Sequence, residues 1–182
     1  MRYAVFSDVH SNLEALEAVL HACESQRIDS YLCVGDIVGY GADPLACIDR
    51  TRSISGATVA GNHDWAVCGR TDSAHFNPFA RAAIEWTRAV LSPSSRAFLS
   101  DLPLTFTNTD VTMVHGTLNE PHAFTYLTDG FLAWPSFRLQ STAVCFVGHT
   151  HVAGVFIQYP DNEICRSQER MVTLESGFRY II

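Results

Sequence analysis

The first sixty residues alternate between short apolar runs and segments with helical periodicity. The runs at 3–7, 31–34 and 57–60 have the length and continuity of buried β-strands. Two predicted helices separate these strands. The first, at 13–23, has one apolar face, and the second, at about 44–52, begins at Asp43-Pro44. This β-α-β-α-β order predicts a parallel sheet with right-handed crossovers. Ligands of such sheets bind beyond the carboxyl ends of the strands, so the residues after each run are the first candidates for a functional site.

Five short islands of acids, amides and histidines are spread along the chain, and each lies at or beside the end of a predicted strand. They read SDVH, VGD, GNHD, VHG and GHTH. Five of the eight histidines fall within them. A fold that gathers these strand ends at one edge would collect metal ligands and proton carriers in one pocket. The candidate residues are Asp8, His10, Asp36, Asn62, His63, Asp64, His115, His149 and His151.

The rest of the chain reads as helices followed by strands. Asn77-Pro78 and Ser92-Pro93 predict helices at about 78–90 and 93–101. After residue 104 the pattern becomes β, with strands in LTFTN, VTMVHG, AVCFVG, VAGVFIQY, MVTLES and FRYII and a loop at about 119–135. We expect a mostly antiparallel second sheet. The fold class is therefore α/β, a layered αββα sandwich of two mixed β-sheets flanked by helices, formed by residues 1–182 as a single domain.

Composition and charge exclude several classes of function. The net charge is −7 and every basic residue is arginine, which removes a Walker A loop, a Schiff-base lysine and a lysine-rich nucleic-acid patch. We expect no stable nucleic-acid complex, because an acidic chain attracts polyanions poorly. No apolar stretch approaches the roughly 18 residues of a membrane span, and the opening MRYAVFSD is too short for a signal peptide. We therefore expect a soluble, cytoplasmic protein with no membrane partner. Its six scattered cysteines are expected to be free, buried thiols.

The islands have the donor types of a metal site. Asp8 and His10 are two residues apart, so at a strand end both can point to the same side, as half a site for manganese, iron or zinc. Asp36 could bridge two metals, and Asn62 offers a neutral carbonyl oxygen. A single histidine after a strand is more often a hydrogen-bonded structural residue. The argument therefore depends on the co-occurrence of the islands, together with the glycines that let the chain turn before GNHD and GHTH.

The ordered set of islands resembles the calcineurin-like metallophosphoesterase family along the whole chain. GDIVGYGADP and NPFARAAIEW are similar to its bacterial and archaeal branch of diadenosine-tetraphosphatase-like phosphodiesterases. The resemblance implies two groups of metal ligands that share one carboxylate. The first group is Asp8, His10, Asp36 and His151, and the second is Asp36, Asn62, His115 and His149. His63 would be the catalytic histidine, oriented by Asp64.

The implied chemistry uses two divalent metal ions, manganese, iron or zinc. They activate a bridging hydroxide that attacks phosphorus, while His63 stabilises the developing charge and protonates the leaving group. We expect a metal-dependent phosphoesterase that hydrolyses small phosphoester substrates, either phosphodiesters or small nucleotides. One alternative is a phosphomonoesterase or protein phosphatase with the same site. A second is a non-catalytic scaffold of the same fold, although all the ligand positions and His63 are filled.

The chain departs from the family pattern in two places. Many relatives carry an arginine or histidine after Gly-Asp that touches phosphate, whereas this chain reads GDIVGYGAD. Arg70 could substitute, or it is simply a solvated arginine. Similar proteins also continue beyond FRYII, so we expect either a short member of the family or one whose C-terminal strands are truncated. Either case leaves an exposed edge strand that favours a homodimer. We expect His122 in a surface loop, and the aromatics Phe124, Tyr126, Phe131 and Trp134 to pack that loop rather than stack on a nucleobase.

Overall fold

The structure is a computed structural model that describes residues 1–182. The chain forms two compact units, Met1–Pro103 and Leu104–Ile182. No helix in either unit combines the length and apolar character that a membrane span requires. The α/β class with two β-sheets and flanking helices is confirmed. The expectation of a single domain over residues 1–182 stays a prediction.

The first unit contains a three-stranded sheet that is parallel, as the β-α-β-α-β pattern predicts, and its strand order is β1-β2-β3. The strands are β1 (Tyr3–Phe6), β2 (Ser30–Cys33) and β3 (Ser55–Thr58). The two crossover helices are α1 (Leu13–Glu24) and α2 (Pro44–Ile54). All three strands run in the same direction, so their carboxyl ends lie at one edge of the sheet.

Three further helices complete this unit: α3 (Asn62–Val67), α4 (Pro78–Val90) and α5 (Pro93–Asp101). The predicted bounds of α4 and α5 are confirmed. Both begin at a proline behind a capping residue, because Asn77 Oδ1 accepts from Ala80 N at 2.9 Å and Ser92 Oγ accepts from Ser95 N at 3.1 Å. The core joins the sheet to the helices of this unit through fully buried residues that include Cys33, Ile48, Ile84 and Leu99.

The second unit contains a six-stranded mixed sheet and one helix. The strands are β4 (Thr105–Thr107), β5 (Val111–Val114), β6 (Val144–Phe146), β7 (Val155–Gln158), β8 (Ile164–Ser167) and β9 (Arg179–Ile181). Their order is β4-β5-β6-β9-β7-β8, and the pairs β5-β6 and β6-β9 are parallel while the other three pairs are antiparallel. The helix is α6 (Gly130–Leu139), whose Ala133 and Phe137 pack with Cys145 and Ile181.

Two local expectations for the second unit were wrong. The MVTLES segment forms no strand, and the chain uses Ile164–Ser167 as β8 instead. The expected loop at 119–135 contains a 3₁₀ turn at Pro121–Ala123 and the start of α6, which begins because Asp129 Oδ1 accepts from Leu132 N at 3.0 Å. The final strand β9 is an interior strand, and the sheet edges are β4 and β8. The homodimer stays a prediction.

All six cysteines are free thiols, but the expectation that they are buried holds only for Cys33, Cys47 and Cys145; the other three are half-buried. Burial in apolar surroundings raises the pKa of the Cys145 thiol to about 12. The pKa of Cys47 rises to about 11 for the same reason. These thiols therefore act as small apolar side chains at neutral pH.

Candidate active site

The loops after β1 and β2 continue side by side beyond the strands, joined by backbone hydrogen bonds. Asp8 N donates to Gly35 O at 3.0 Å and His10 N donates to Asp36 O at 2.9 Å. Asp8, His10 and Asp36 all have positive φ angles, of 54°, 49° and 52°. This left-handed backbone is uncommon for residues with a Cβ and is held here by the ladder. The first two polar islands are therefore fixed against each other before any ligand binds.

His10 is oriented by a hydrogen bond on one side of its ring. Its Nδ1 lies 3.2 Å from Val38 O, and because a carbonyl only accepts, Nδ1 carries the proton. The other ring nitrogen, Nε2, lies 3.9 Å from Asp8 Oδ1 and 3.7 Å from Asp36 Oδ2. A backbone acceptor on Nδ1 with carboxylates facing Nε2 is the usual arrangement of a metal-binding histidine.

Asp36 connects the second island to the third. Its carboxylate is buried, and Oδ1 accepts a hydrogen bond from His63 N at 2.9 Å. Gly61 makes this approach possible, since a Cβ at that position would lie 2.0 Å from Asp36 Oδ1. The glycine of GNHD is therefore required by the close passage of the chain over Asp36, in addition to its role in the turn.

Asp64 holds the start of α3 against the loop after β2. Its Oδ1 accepts from Ile37 N at 2.9 Å and Val38 N at 3.2 Å, and its Oδ2 accepts from Gly61 N at 3.0 Å. The residue is fully buried and sits directly after His63. Through these bonds Asp64 can fix the backbone that carries His63. The orienting role of Asp64 stays a prediction.

The first unit brings together donors that suit a divalent transition metal. Each of His10, Asp36 and His63 offers one ligand atom, and these atoms lie within 4.8 Å of one another. Asn62 adds an amide oxygen, Oδ1, which is buried and accepts no hydrogen bond. A buried acceptor without a donor is costly unless a cation or another donor reaches it. Imidazole, carboxylate and amide donors together fit manganese, iron or zinc.

The second unit supplies the remaining three histidines at its own strand ends. His115 follows β5 and His149 follows β6, and their ring centroids are 5.0 Å apart. Gly148 N donates to His115 O at 2.9 Å, which ties the two islands together. His149 and His151 have positive φ angles of 69° and 54°. His149 is buried, whereas His151 is exposed.

An aromatic residue of the expected loop contacts a candidate ligand directly. The ring of Tyr126 stacks on that of His149, with centroids 3.8 Å apart and an angle of 17° between the planes. Phe124 is buried with its ring 6.1 Å from that of His115. Phe131 and Trp134 lie on α6 with exposed side chains, so the expectation that they pack the loop was wrong.

Sequence reasoning missed Tyr40. Its ring centroid lies 4.9 Å from that of His10 and 4.8 Å from that of His63, and half of the side chain is exposed. The available signal was an aromatic residue between two glycines, in a segment that begins three residues after the second island. Arg70, considered above as a phosphate contact, is exposed and lies over the ring of Trp65, 4.8 Å from its centroid.

The family follows from a match that covers most of the chain. Residues 1–169 match the family model of the calcineurin-like phosphoesterase superfamily domain. The chain belongs to this superfamily. The match spans both compact units and all five polar islands, so the predicted resemblance is confirmed.

Two similar proteins and one solved structure of lower identity resemble this chain over most of its length. The chain is 34% identical to an uncharacterized protein of Methanocaldococcus jannaschii, over 98% of this chain and 73% of that protein. It is 38% identical to a metallophosphoesterase from Sphaerobacter thermophilus, whose crystal structure matches with a TM-score of 0.82 over 100% of this chain and 74% of that one. The crystal structure of a candidate diadenosine tetraphosphatase shares the fold, with 16% identity and a TM-score of 0.53, over 92% of this chain and 64% of that chain. Membership supports a hydrolase of phosphoesters.

Proposed function

We propose that this calcineurin-like phosphoesterase is a metal-dependent enzyme that hydrolyses phosphodiesters or small nucleotides. The observation that carries the proposal is the group of Asp8, His10 and Asp36, in which His10 Nε2 lies 3.9 Å from Asp8 Oδ1 and 3.7 Å from Asp36 Oδ2. Beside His63 in the chain, the Asn62 amide oxygen is buried without a hydrogen-bond donor. A largely buried cluster of this kind is unfavourable for an apolar core and favourable for binding cations.

The proposed ligands follow the order of the motifs along the chain. They are Asp8, His10, Asp36, Asn62, His115, His149 and His151, with Asp36 shared between two divalent ions. Two such ions, when bound, supply an activated water and neutralise charge on the phosphoryl oxygens. Asp36 Oδ2 faces the His10 ring at 3.7 Å from Nε2, while Oδ1 accepts the His63 N–H and fixes the carboxylate that would hold the ions.

His63 is proposed to protonate the oxygen that leaves phosphorus. Its backbone is fixed by the hydrogen bond from its N–H to Asp36 and by the neighbouring Asp64 carboxylate. Its ring lies beside that of His10, with centroids 4.8 Å apart, and is only 4% exposed. A proton donor held in this way contributes about 10²- to 10⁴-fold to the rate of ester cleavage.

Hydrolysis assays on metal-loaded protein test the proposal. We would measure turnover of bis-p-nitrophenyl phosphate and p-nitrophenyl phosphate with added Mn²⁺, and metal content by mass spectrometry. Asp36→Ala is expected to lose both metal and activity. His63→Ala should keep its metal while kcat falls about 10²- to 10⁴-fold. His21→Ala removes an exposed histidine from α1 and is the matched control, with activity unchanged.

The outcomes separate the proposal from its alternatives. A wild-type chain that binds no metal would support the non-catalytic scaffold. A metal-bound chain that cleaves only the monoester would be a phosphomonoesterase or protein phosphatase. Full activity in His63→Ala would contradict the assigned role of that histidine.

A further inference from the structure

Tyr40 occupies an unusual backbone position between two tightly packed glycines. Its φ angle is 56°, in the left-handed region. A Cβ on Gly39 would lie 2.4 Å from His63 Nδ1, and a Cβ on Gly41 would lie 2.6 Å from His10 O. Gly41 N also donates to His10 O at 2.9 Å. The chain therefore passes very close to both histidines, and Tyr40 projects from this fixed segment.

The ring of Tyr40 lies beside both histidines and keeps an open surface. Its plane is tilted by 44° from that of His63 and by 80° from that of His10. The side chain is 49% exposed, whereas His63 is 4% and His10 is 9% exposed. An aromatic residue that only supported the histidines would be expected to bury most of its side chain against them.

We infer that Tyr40 contacts the alcohol that leaves phosphorus and makes the site selective for alcohols with a planar ring, such as aryl groups and nucleosides. This inference rests on the proposed function, in which His63 protonates the leaving oxygen. That oxygen must come within hydrogen-bond distance of His63, roughly 2.6–3.2 Å. The body of the leaving group then passes beside the exposed ring of Tyr40, whose centroid is 4.8 Å from that of the His63 ring. Planar rings pack on exposed aromatic faces at ring separations of about 4.5–7 Å.

Two non-hydrolysable phosphonates test the inference by binding rather than by turnover. Benzylphosphonate carries a planar ring where the leaving group would lie, and cyclohexylmethylphosphonate carries a puckered ring of similar size. We would measure both dissociation constants by calorimetry with Mn²⁺-loaded wild type, Tyr40→Leu and Tyr40→Phe. Trp86→Leu is the matched control, since Trp86 is an aromatic residue of α4 that is 46% exposed. Metal content would be checked for every variant.

Tyr40→Leu is expected to weaken benzylphosphonate binding about 3- to 10-fold while changing cyclohexylmethylphosphonate binding less than about twofold. Tyr40→Phe and Trp86→Leu should both match the wild type. Equal effects on the two phosphonates in Tyr40→Leu, or a loss in Tyr40→Phe as large as in Tyr40→Leu, would overturn the inference alone. Failure of the Mn²⁺-loaded wild type to bind benzylphosphonate would also overturn the inference alone. A wild type that binds no Mn²⁺, or that cleaves neither p-nitrophenyl ester, would overturn the proposed function and this inference with it.

Discussion

Replacing Asp64 by asparagine should destabilise the protein at one identifiable point. An asparagine Oδ1 can still accept from the N–H groups of Ile37 and Val38, which lie 2.9 and 3.2 Å from the carboxylate. The amide NH₂ would then face Gly61 N, the donor that Asp64 Oδ2 accepts from at 3.0 Å. The change therefore removes one charge-assisted hydrogen bond and leaves two donors facing each other in a fully buried site.

The expected loss of unfolding free energy is about 3 kcal/mol. A hydrogen bond to a charged group contributes roughly 1.5–3 kcal/mol, and a buried donor without an acceptor costs about 1–3 kcal/mol. Alanine at this position would leave three donors without acceptors, and the loss would approach a large part of the roughly 5–15 kcal/mol that stabilises a typical domain. Asparagine is therefore the more informative change, because the chain should still fold.

Urea denaturation of metal-free protein measures this loss without a contribution from metal binding. Amide hydrogen exchange adds a local reading, since the Gly61 amide should exchange faster in Asp64→Asn. Asp72→Asn is the matched control, because Asp72 Oδ1 accepts from Ala74 N at 2.9 Å at an exposed position. Its expected loss is below about 0.5 kcal/mol. If the two variants were equally stable, the hydrogen bonds of Asp64 would not hold α3 in place.

Two further predictions follow from backbone geometry and from burial. Gly39→Ala places a Cβ 2.4 Å from His63 Nδ1, so kcat should fall about tenfold or more with metal content unchanged. Gly69→Ala is its control, because Gly69 also has a positive φ, of 74°, but a Cβ there would have no neighbour within 4 Å. Comparable losses of kcat in the two variants would refute the steric argument. The pKa of the Cys145 thiol is about 12 in the folded chain against an ordinary value of 9.0, so the unfolded chain loses this proton first. Stability should therefore fall as the pH rises from 9 towards 12, and in Cys145→Ala the loss between pH 8 and 10.5, measured by urea denaturation, should be about 2 kcal/mol smaller. An equal loss in both proteins would show that Cys145 ionises normally.

The helices that could be predicted are those with local signals for their start. The capped prolines at Pro78 and Pro93 gave α4 and α5 to the residue. α6 was missed because Pro135 lies inside it, and proline usually argues against a helix interior. Its capping residue, Asp129, was present in the sequence as a signal for the start. The MVTLES segment has strand-like composition, but strand formation depends on partners that composition does not specify.

The candidate site was predictable in its residues and not in its contacts. The candidate metal ligands could be identified as the polar islands that follow the apolar strand segments, because parallel strands end at a common edge of the sheet. The buried amide oxygen of Asn62 and the three amides bound by Asp64 depend on how the loops pack on the start of α3, and the position of Tyr40 depends on its left-handed backbone. No periodic pattern encodes such loops, since each is held by hydrogen bonds between segments distant in sequence.

The positive φ angles of the polar islands have a consequence for how such a protein changes over time. Asp8, His10, Asp36, His149 and His151 all occupy this backbone region. Glycine would relieve strain of roughly 1–3 kcal/mol at each position, and would remove a candidate ligand each time. A library of variants selected for heat resistance alone should therefore accumulate glycine or asparagine at these positions and drift towards inert proteins. Only selection that also requires activity would retain the aspartates and histidines at these positions.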